Sequence, residues 1–195
     1  ISLTDWSPRD GIPWYRAHEL WIGLLNYSDL ASDPRFWSAM WRTVIVMAIC
    51  VPVQFLLGLG LAILFVDDFV GRRTLYSTIL VPMMVVPAVA GYMFFMLFQS
   101  GGPVNDLLSM VTGQPVTIAW LSDPKLALFA AIVSDIWQWT PLMFLILLAG
   151  MVSVPQDQQM AAVLLGASWW RRFFTIVLPR MKTIIIIAIA IRMIE

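Results

Sequence analysis

The chain has 195 residues, of which 60% are hydrophobic and only 12% are charged, and its mean hydropathy is +0.82. Soluble domains carry roughly 25% charged residues, so this composition excludes an ordinary soluble domain, and its long apolar runs predict an all-α membrane protein. Twelve basic and twelve acidic side chains cancel, which argues against recruitment by nucleic acid or by an anionic surface.

The first 42 residues are predicted to form an external loop with short helices. They contain five tryptophans among Pro, Asp and Gly, a composition suited to the membrane interface. Asp33 and Pro34 are typical of a helix start, because Asp accepts hydrogen bonds from free backbone N–H groups and Pro has no N–H to leave unpaired. We expect this helix to run on into the first span.

Three long apolar segments are predicted to span the membrane, at residues 43–66, 74–98 and 126–152. The first has no formal charge, and a helix of its length reaches about 36 Å against a hydrocarbon core of roughly 30 Å. It contains the single cysteine, Cys50, which we interpret as a buried, unreactive thiol. Residues 183–195 are predicted to begin a fourth span.

The second and third of these segments contain prolines in positions that matter for their path: Pro82 and Pro87 in the second, and Pro141 in the third. Each removes a backbone donor, and in lipid the freed carbonyl oxygen must be satisfied by a neighbouring helix or by water. We therefore predict that both helices are bent and packed inside a bundle.

The distribution of basic residues predicts the orientation. With three full spans, loops 67–73 and 153–182 lie on one side and carry six Lys or Arg in 37 residues. Loops 1–42 and 99–125 lie on the other side and carry five in 69 residues. The positive-inside rule therefore favours a cytoplasmic position for the 153–182 loop.

The 153–182 loop has the features of a docking element. Pro155 and Asp157 favour the start of a short helix that runs to about Leu165. Gly166 can adopt the left-handed conformation that ends a helix and redirects the chain. Aromatic and basic side chains follow it: Trp169, Trp170, Arg171, Arg172, Phe173 and Phe174. An amphipathic surface helix between two spans is the alternative interpretation.

The spacing of small residues in this loop resembles the coupling loop of sugar-type permeases from bacterial binding-protein-dependent ABC importers, the maltose-type family. That loop follows the pattern Glu-Ala-Ala-x-x-Asp-Gly-Ala and, nine residues on, Ile-x-Leu-Pro. The matching positions here are Ala161, Ala162, Gly166, Ala167, Ile176, Leu178 and Pro179. Met160 and Leu165 replace the two acidic residues. With Met160 and Arg171, the matching positions form the predicted ATPase-coupling site.

The resemblance extends over nearly the whole chain and implies a fold. Matching segments lie at residues 23–27, 33–37, 102–106, 137–141 and 148–155. They imply a fragment of a six-helix permease core that contains helices two to four, the start of the fifth, and the end of the first in residues 1–6. Because the chain starts at Ile1 and stops at Glu195, just inside an apolar run, we expect both ends of a longer protein to be absent.

The resemblance also implies a function. It implies a permease subunit for a carbohydrate in the bacterial cytoplasmic (inner) membrane, with no enzymatic activity of its own. The implied partners are a second permease subunit, two ATPase subunits, an external solute-binding protein and the lipid bilayer, with no nucleic acid. The chain has no P-loop motif, so ATP and Mg²⁺ are expected on the ATPase subunits. We expect no cofactor or metal in this chain.

Five residues are candidates for the solute path. Asp135 is a charge inside a predicted full span, and an ionisable group in the membrane is a functional-site hypothesis by default. The other four candidates offer amide groups or aromatic surface that could hold a sugar ring: Gln54, Tyr92, Trp137 and Gln138. Each of the five also has an ordinary interpretation as a packing residue or an interhelix hydrogen bond.

Two other classes of function are weighed against a permease. An ion-coupled secondary transporter or channel needs charges within its spans, where we identify only Asp135, and it leaves the coupling loop unexplained. An integral membrane enzyme could use Asp67 and Asp68 as metal ligands, but one acidic pair without His partners is a weak metal signal.

Overall fold

The computed structural model describes residues 2–7, 9 and 11–194. It consists of two compact units, one ending at Ile45 and the other beginning at Val46. Within the described residues, the regular structure is helical apart from a single antiparallel bridge between Thr4 and Trp21. The predicted all-α fold is therefore confirmed.

Backbone and side-chain hydrogen bonds hold the first unit together. It contains a 3-10 helix (Trp14–Leu20) and helix α1 (Leu25–Ser32). The amide nitrogen of Asn26 donates to the carbonyl oxygens of Ser2 at 3.2 Å and Thr4 at 3.0 Å. Turns and the bridge occupy residues 2–4, so the expected end of a preceding core helix is not found there.

Helix α2 extends over Pro34–Phe65 and begins at the predicted signal. The carboxylate of Asp33 accepts a hydrogen bond from the backbone N–H of Arg35 at 2.8 Å, and Pro34 occupies the first helical position. The helix thus starts well before the predicted span boundary at residue 43. The last part of the predicted 1–42 loop is helical.

Helix α6 (Pro124–Val152) is the central helix of the second unit. Gly58 of α2 brings the two helices close together, because a Cβ atom at this position would lie 2.9 Å from the backbone nitrogen of Phe144. Phe65 packs edge-on against the Phe144 ring, with centroids 5.3 Å apart. Both phenylalanines are fully buried, so this contact anchors the apolar core.

The predicted second span is two helices rather than one bent helix. Helix α3 (Arg72–Met84) and helix α4 (Pro87–Leu97) meet at an angle of 95°. Pro87 is the first residue of α4, where its missing N–H leaves no carbonyl unpaired inside a helix. The prediction of a single kinked helix over residues 74–98 was wrong because proline marks lost donors but not the size of the bend.

Asn105 organises the segment between α4 and α6. It lies in helix α5 (Pro103–Thr112) and is buried. Its amide nitrogen donates to the carbonyl oxygens of Ser100 and Ile118, both at 2.9 Å, while its amide oxygen accepts from the indole N–H of Trp120 at 2.9 Å. One buried side chain therefore joins the turn before α5 to the loop that follows α5.

The chain after α6 is more helical than predicted. It forms α7 (Gln156–Leu164), α8 (Trp169–Arg172), a π-helical turn (Phe173–Val177) and α9 (Leu178–Ile194). The last three are continuous, so the final helix begins at Trp169 rather than near residue 183. The loop predicted at 153–182 consists of α7, one turn and the first part of this helix.

Three helices of the described part are long and apolar enough to cross a bilayer: Pro34–Phe65, Pro124–Val152 and Trp169–Ile194. Helices α3 and α4 pass the same test when they are taken together as a bent pair. These features confirm the predicted class of a helical membrane protein with several spans.

Candidate functional site

Helix α7 presents much of the predicted coupling sequence on its surface. Pro155 precedes the helix as its N-cap, and Asp157 lies in the first turn, where a negative charge is favourable. Met160 and Ala161 are exposed, and Ala162 is half-buried. The helix thus offers a narrow outer face.

Gly166 ends α7 with the predicted left-handed turn. Its φ is 77°, a conformation that only glycine adopts without strain. The N–H of Gly166 donates to the carbonyl of Val163, and the N–H of Ala167 donates to the carbonyl of Ala162, both at 2.9 Å. This pair of bonds is a Schellman motif. Ala162, Gly166 and Ala167, which are three positions of the pattern, therefore all take part in the turn that ends α7.

Aromatic stacking and a serine cap start the helix after this turn. The hydroxyl of Ser168 accepts a hydrogen bond from the backbone N–H of Arg171 at 3.4 Å. Trp169 stacks on Phe173 with an angle of 5° between the rings and centroids 5.4 Å apart. Such pairs, four residues apart, lie on one helix face and support it.

The second half of the coupling pattern lies inside this last helix. Ile176 and Leu178 are half-buried and pack against the apolar core, whereas Pro179 is exposed. Arg171 is exposed as well. The predicted coupling site therefore has two parts. One is the exposed surface of α7 with its turn, and the other is the first part of the last helix, which packs against the apolar core.

A cavity of about 640 Å³ lies between α7, the end of α6 and the connection from α2 to α3. Met160 and Arg172 both line it. The Nε atom of Arg172 is buried and has no hydrogen-bond partner within the described residues. Because Met160 stands where the pattern has Glu, the cavity wall has a thioether at this position, and its carboxylate comes from Asp67 instead.

A buried polar cluster joins α2, α6 and α9, and it includes two of the predicted solute-path residues. Arg192 donates to both carboxylate oxygens of Asp135, at 2.8 and 2.6 Å, and to the amide oxygen of Gln54 at 2.8 Å. The Gln54 amide nitrogen donates to Asp135 Oδ2 at 2.8 Å and to its backbone carbonyl at 3.1 Å. The guanidinium of Arg192 also lies 5.4 Å from the centre of the Trp139 ring.

Arg192 was missed by the sequence analysis, which treated Asp135 as the only charge within a span. The signal was present, because Arg192 interrupts an otherwise apolar run and an ionisable residue in a span needs a partner. Cys50 lies beside this cluster, with its sulfur 4.0 Å from the carbonyl oxygen of Ile132. It is buried, as predicted.

Asp135 also lines a second cavity, of about 400 Å³, between α4 and α6. Polar groups on its wall come from Ser134, Asp135 and Gln138, and aromatic surface comes from Phe94, Phe95 and Trp139. A few polar groups on a mainly apolar wall are typical of a small-molecule site.

Three other solute-path candidates have structural partners. Gln138 donates to the carbonyl of Val85 at 2.9 Å, which satisfies backbone at the break between α3 and α4. Trp137 packs on Phe94, and Tyr92 is 64% exposed; neither lines the cavity. Of the five candidates, Asp135 and Gln138 line the 400 Å³ cavity. Gln54 does not line it, but donates a hydrogen bond to Asp135.

The described residues contain no group of three or more side chains suited to hold a metal ion. Asp68 forms an ion pair with Arg72, which is an ordinary partner for an exposed carboxylate near a helix start. Asp67 lines the 640 Å³ cavity together with Arg172.

Residues 27–195 match the protein family described as "Binding-protein-dependent transport system inner membrane component". The chain is 35% identical over 89% of its length to the trehalose/maltose transport system permease protein MalF of Thermococcus litoralis. It is 35% identical over 98% of its length to the sulfoquinovosyl glycerol transport system permease protein SmoG of Agrobacterium fabrum. In both comparisons the matched region spans 59% of the relative.

A solved structure shows the same fold. It is a crystal structure of a bacterial alginate ABC transporter in complex with an alginate pentasaccharide-bound periplasmic protein. The TM-score is 0.77 at 22% sequence identity, and the match covers 95% of this chain and 64% of the other. At this identity the likeness establishes the fold alone.

Proposed function

Because the chain belongs to the family of inner membrane components of binding-protein-dependent transport systems, we propose that the protein it represents is a permease subunit of an ATP-driven importer for carbohydrates. The observation that carries this proposal is the Schellman turn at Gly166, which ends an exposed helix between two apolar helices. We call this short helix with its turn, residues 156–166, the α7 peg, and it offers a rigid surface that a partner protein can bind. The trehalose and maltose system of the relative supports a carbohydrate as solute.

The proposed partners follow from the family and from this peg. Two ATPase subunits bind and hydrolyse ATP with Mg²⁺ and contact the α7 region, and a second permease subunit completes the solute path. A periplasmic protein is present in the complex of the structural relative, which supports an external solute-binding protein here. This chain then needs no cofactor of its own.

The proposed location is the bacterial cytoplasmic (inner) membrane. The apolar helices and the family description support a position in that bilayer. The base count favours a cytoplasmic position for α7 and its turn and an external position for the segment around α5. This orientation gives ATPase subunits access to Met160, Ala161 and Gly166.

The 400 Å³ cavity is the proposed part of the solute path within this chain. Its aromatic wall can cover the apolar faces of a sugar ring, and Asp135 can accept a hydrogen bond from a hydroxyl group. Trp137 and Tyr92 act as packing residues in this proposal, because they do not line the cavity themselves and their rings pack against Phe94 and Phe95, which do.

An ion-coupled transporter is a weaker interpretation of the same cluster. Such a mechanism needs a carboxylate that gains and loses an ion during the cycle. Both carboxylate oxygens of Asp135 are instead bound by the guanidinium of Arg192, which acts as a fixed counter-ion.

Reconstitution tests the proposal. The full-length protein is co-purified with the ATPase, second permease and binding protein encoded beside it, and uptake of radiolabelled maltose and trehalose is measured in proteoliposomes. We expect uptake that requires ATP on the ATPase side and the binding protein on the other. Uptake driven by a sodium or proton gradient without ATP would instead establish the secondary transporter.

A further inference from the structure

The carboxylate of Asp135 faces two environments. Its side chain is 29% exposed and lies on the wall of the 400 Å³ cavity, whereas the side chain of Arg192 is 7% exposed and is not part of that wall. The guanidinium therefore lies behind the carboxylate when viewed from the cavity. A solute that enters meets the acceptor oxygens first.

Hydrogen-bond accounting shows what this carboxylate can still do. An ionised carboxylate has about four acceptor positions. Oδ2 accepts from Gln54 at 2.8 Å and from Arg192 at 2.6 Å, while Oδ1 accepts from Arg192 at 2.8 Å. Oδ1 thus accepts one of these hydrogen bonds and Oδ2 accepts two. The less occupied Oδ1 suits a hydroxyl donor and offers nothing to a second carboxylate or a sulfonate.

The geometry fixes this acceptor in place. The Nη2 atom of Arg192 donates to both carboxylate oxygens, and Gln54, which is fully buried, binds both the guanidinium and Oδ2. The Trp139 ring lies against the guanidinium and also lines the cavity. The guanidinium of Arg192 thus contacts both the Trp139 ring of the cavity wall and the carboxylate of Asp135.

We propose that Arg192 is a positioning residue for the solute cavity: it orients and neutralises Asp135 so that the cavity accepts neutral polyhydroxylated solutes and rejects anionic ones. The inference rests on the proposed carbohydrate transport and adds a charge selection to it. The pair cancels in net charge, which lets it lie within a span. At short range, however, the exposed carboxylate oxygens repel an anion in the cavity.

Binding to the purified full-length permease complex, without the binding protein, tests this selection. The probes are two matched pairs: maltose with maltobionate, and trehalose with the uronic acid made by oxidising one of its primary hydroxyls. For wild type we expect binding of the neutral sugar whose uptake is observed. Its charged counterpart should bind about tenfold or more weakly.

Two variants separate positioning from simple structural support. Asp135→Asn removes the negative charge from the cavity wall while Arg192 keeps its positive charge, so the preference should shift towards the charged member of each pair. Asp135→Asn combined with Arg192→Gln removes both charges at nearly constant size and should bring the ratio of the two affinities close to one. The double variant also provides the test if Asp135→Asn alone fails to assemble.

The outcomes are distinct. A change in the ratio of the affinities for the neutral and the charged probe, measured in the assembled variants, supports the proposal. A purely structural pair would leave this ratio unchanged. The proposal is overturned if wild type binds both members equally, if the ratio stays at its wild-type value in the double variant, or if none of the four probes binds while uptake succeeds. Absence of ATP-driven uptake in the reconstitution experiment is a separate result and removes the proposed function itself.

Discussion

The side-chain amide of Gln138 donates a hydrogen bond to the backbone carbonyl of Val85 at 2.9 Å, and this bond joins α6 to the break between α3 and α4. The 95° bend leaves backbone groups without helical partners, and in an apolar environment each unpaired group is costly. Gln138 is buried. Its amide N–H group therefore stabilises the bend by pairing with backbone, and this hydrogen bond is not made to a ligand.

Gln138→Leu should destabilise the protein by about 1–3 kcal/mol, because it leaves the carbonyl of Val85 buried and unpaired. The measurement is thermal unfolding of the full-length protein in detergent. Gln114→Leu is the matched control, since Gln114 is exposed, and it should leave the melting temperature nearly unchanged. Equal melting temperatures for the two variants would mean that the Val85 carbonyl does not depend on Gln138.

Gly58→Ala should destabilise the contact between α2 and α6. Its Cβ would lie 2.9 Å from the backbone nitrogen of Phe144, so the helices must move apart at a cost of about 1–3 kcal/mol. Gly60→Ala is the control on the same helix, because a Cβ atom there meets nothing within 4 Å. It should be neutral or stabilising, since alanine favours helix. The same unfolding measurement applies, and a stabilised Gly58→Ala variant would contradict the close approach.

Met160→Glu should stabilise the coupling region, because it offers a carboxylate in a cavity lined by Arg172, whose Nε has no hydrogen-bond partner among the described residues. We expect slower protease cleavage after Arg171, which is exposed. Met160→Gln controls for polarity without charge and should give a smaller effect. If Met160→Glu protects the site equally well in an Arg172→Met background, the protection does not come from this pair.

The topology can be tested by thiol labelling in intact cells. In a Cys50→Ala background, cysteines at Ser32 and Val111 should react with an impermeant reagent, whereas a cysteine at Leu164 should react only after permeabilisation. All three positions are exposed. Labelling of Leu164→Cys in intact cells would place α7 outside and exclude contact with cytoplasmic ATPases.

Local signals predicted the helix ends well. The Asp33–Pro34 start and the Gly166 turn depend on hydrogen bonds that reach only a few residues, so a single sequence contains the necessary information. The start of the last helix at Trp169 was missed, since its charged and aromatic residues indicated a surface loop. The Ser168 cap was the local signal that could have located it.

Tertiary relationships were not predictable to the same extent. Asp135 was identified as a lone charge, but its partner Arg192 lies 57 residues further along, and Gln54 lies 138 residues before Arg192. No periodicity links such distant positions. The bend between α3 and α4 likewise depends on what packs against it, because Gln138 is what satisfies the Val85 carbonyl.

The central claim is that the α7 peg, held by the left-handed Gly166, couples this protein to an ATPase. Gly166→Val is its most direct test, because a β-branched residue at a φ of 77° costs on the order of 1–3 kcal/mol and misplaces the turn. Gly113→Val is the matched control. Gly113 has a φ of 68°, and a Cβ atom at either glycine would meet nothing within 4 Å, but Gly113 follows α5 on the proposed external side.

The measurement is co-purification of the ATPase subunit together with ATP-driven uptake of labelled maltose or trehalose. We predict that Gly166→Val inserts normally but loses ATPase association or uncouples hydrolysis from uptake, while Gly113→Val retains both. Wild-type association and uptake in Gly166→Val would contradict the account, because the loop would then be an ordinary connector between two membrane helices.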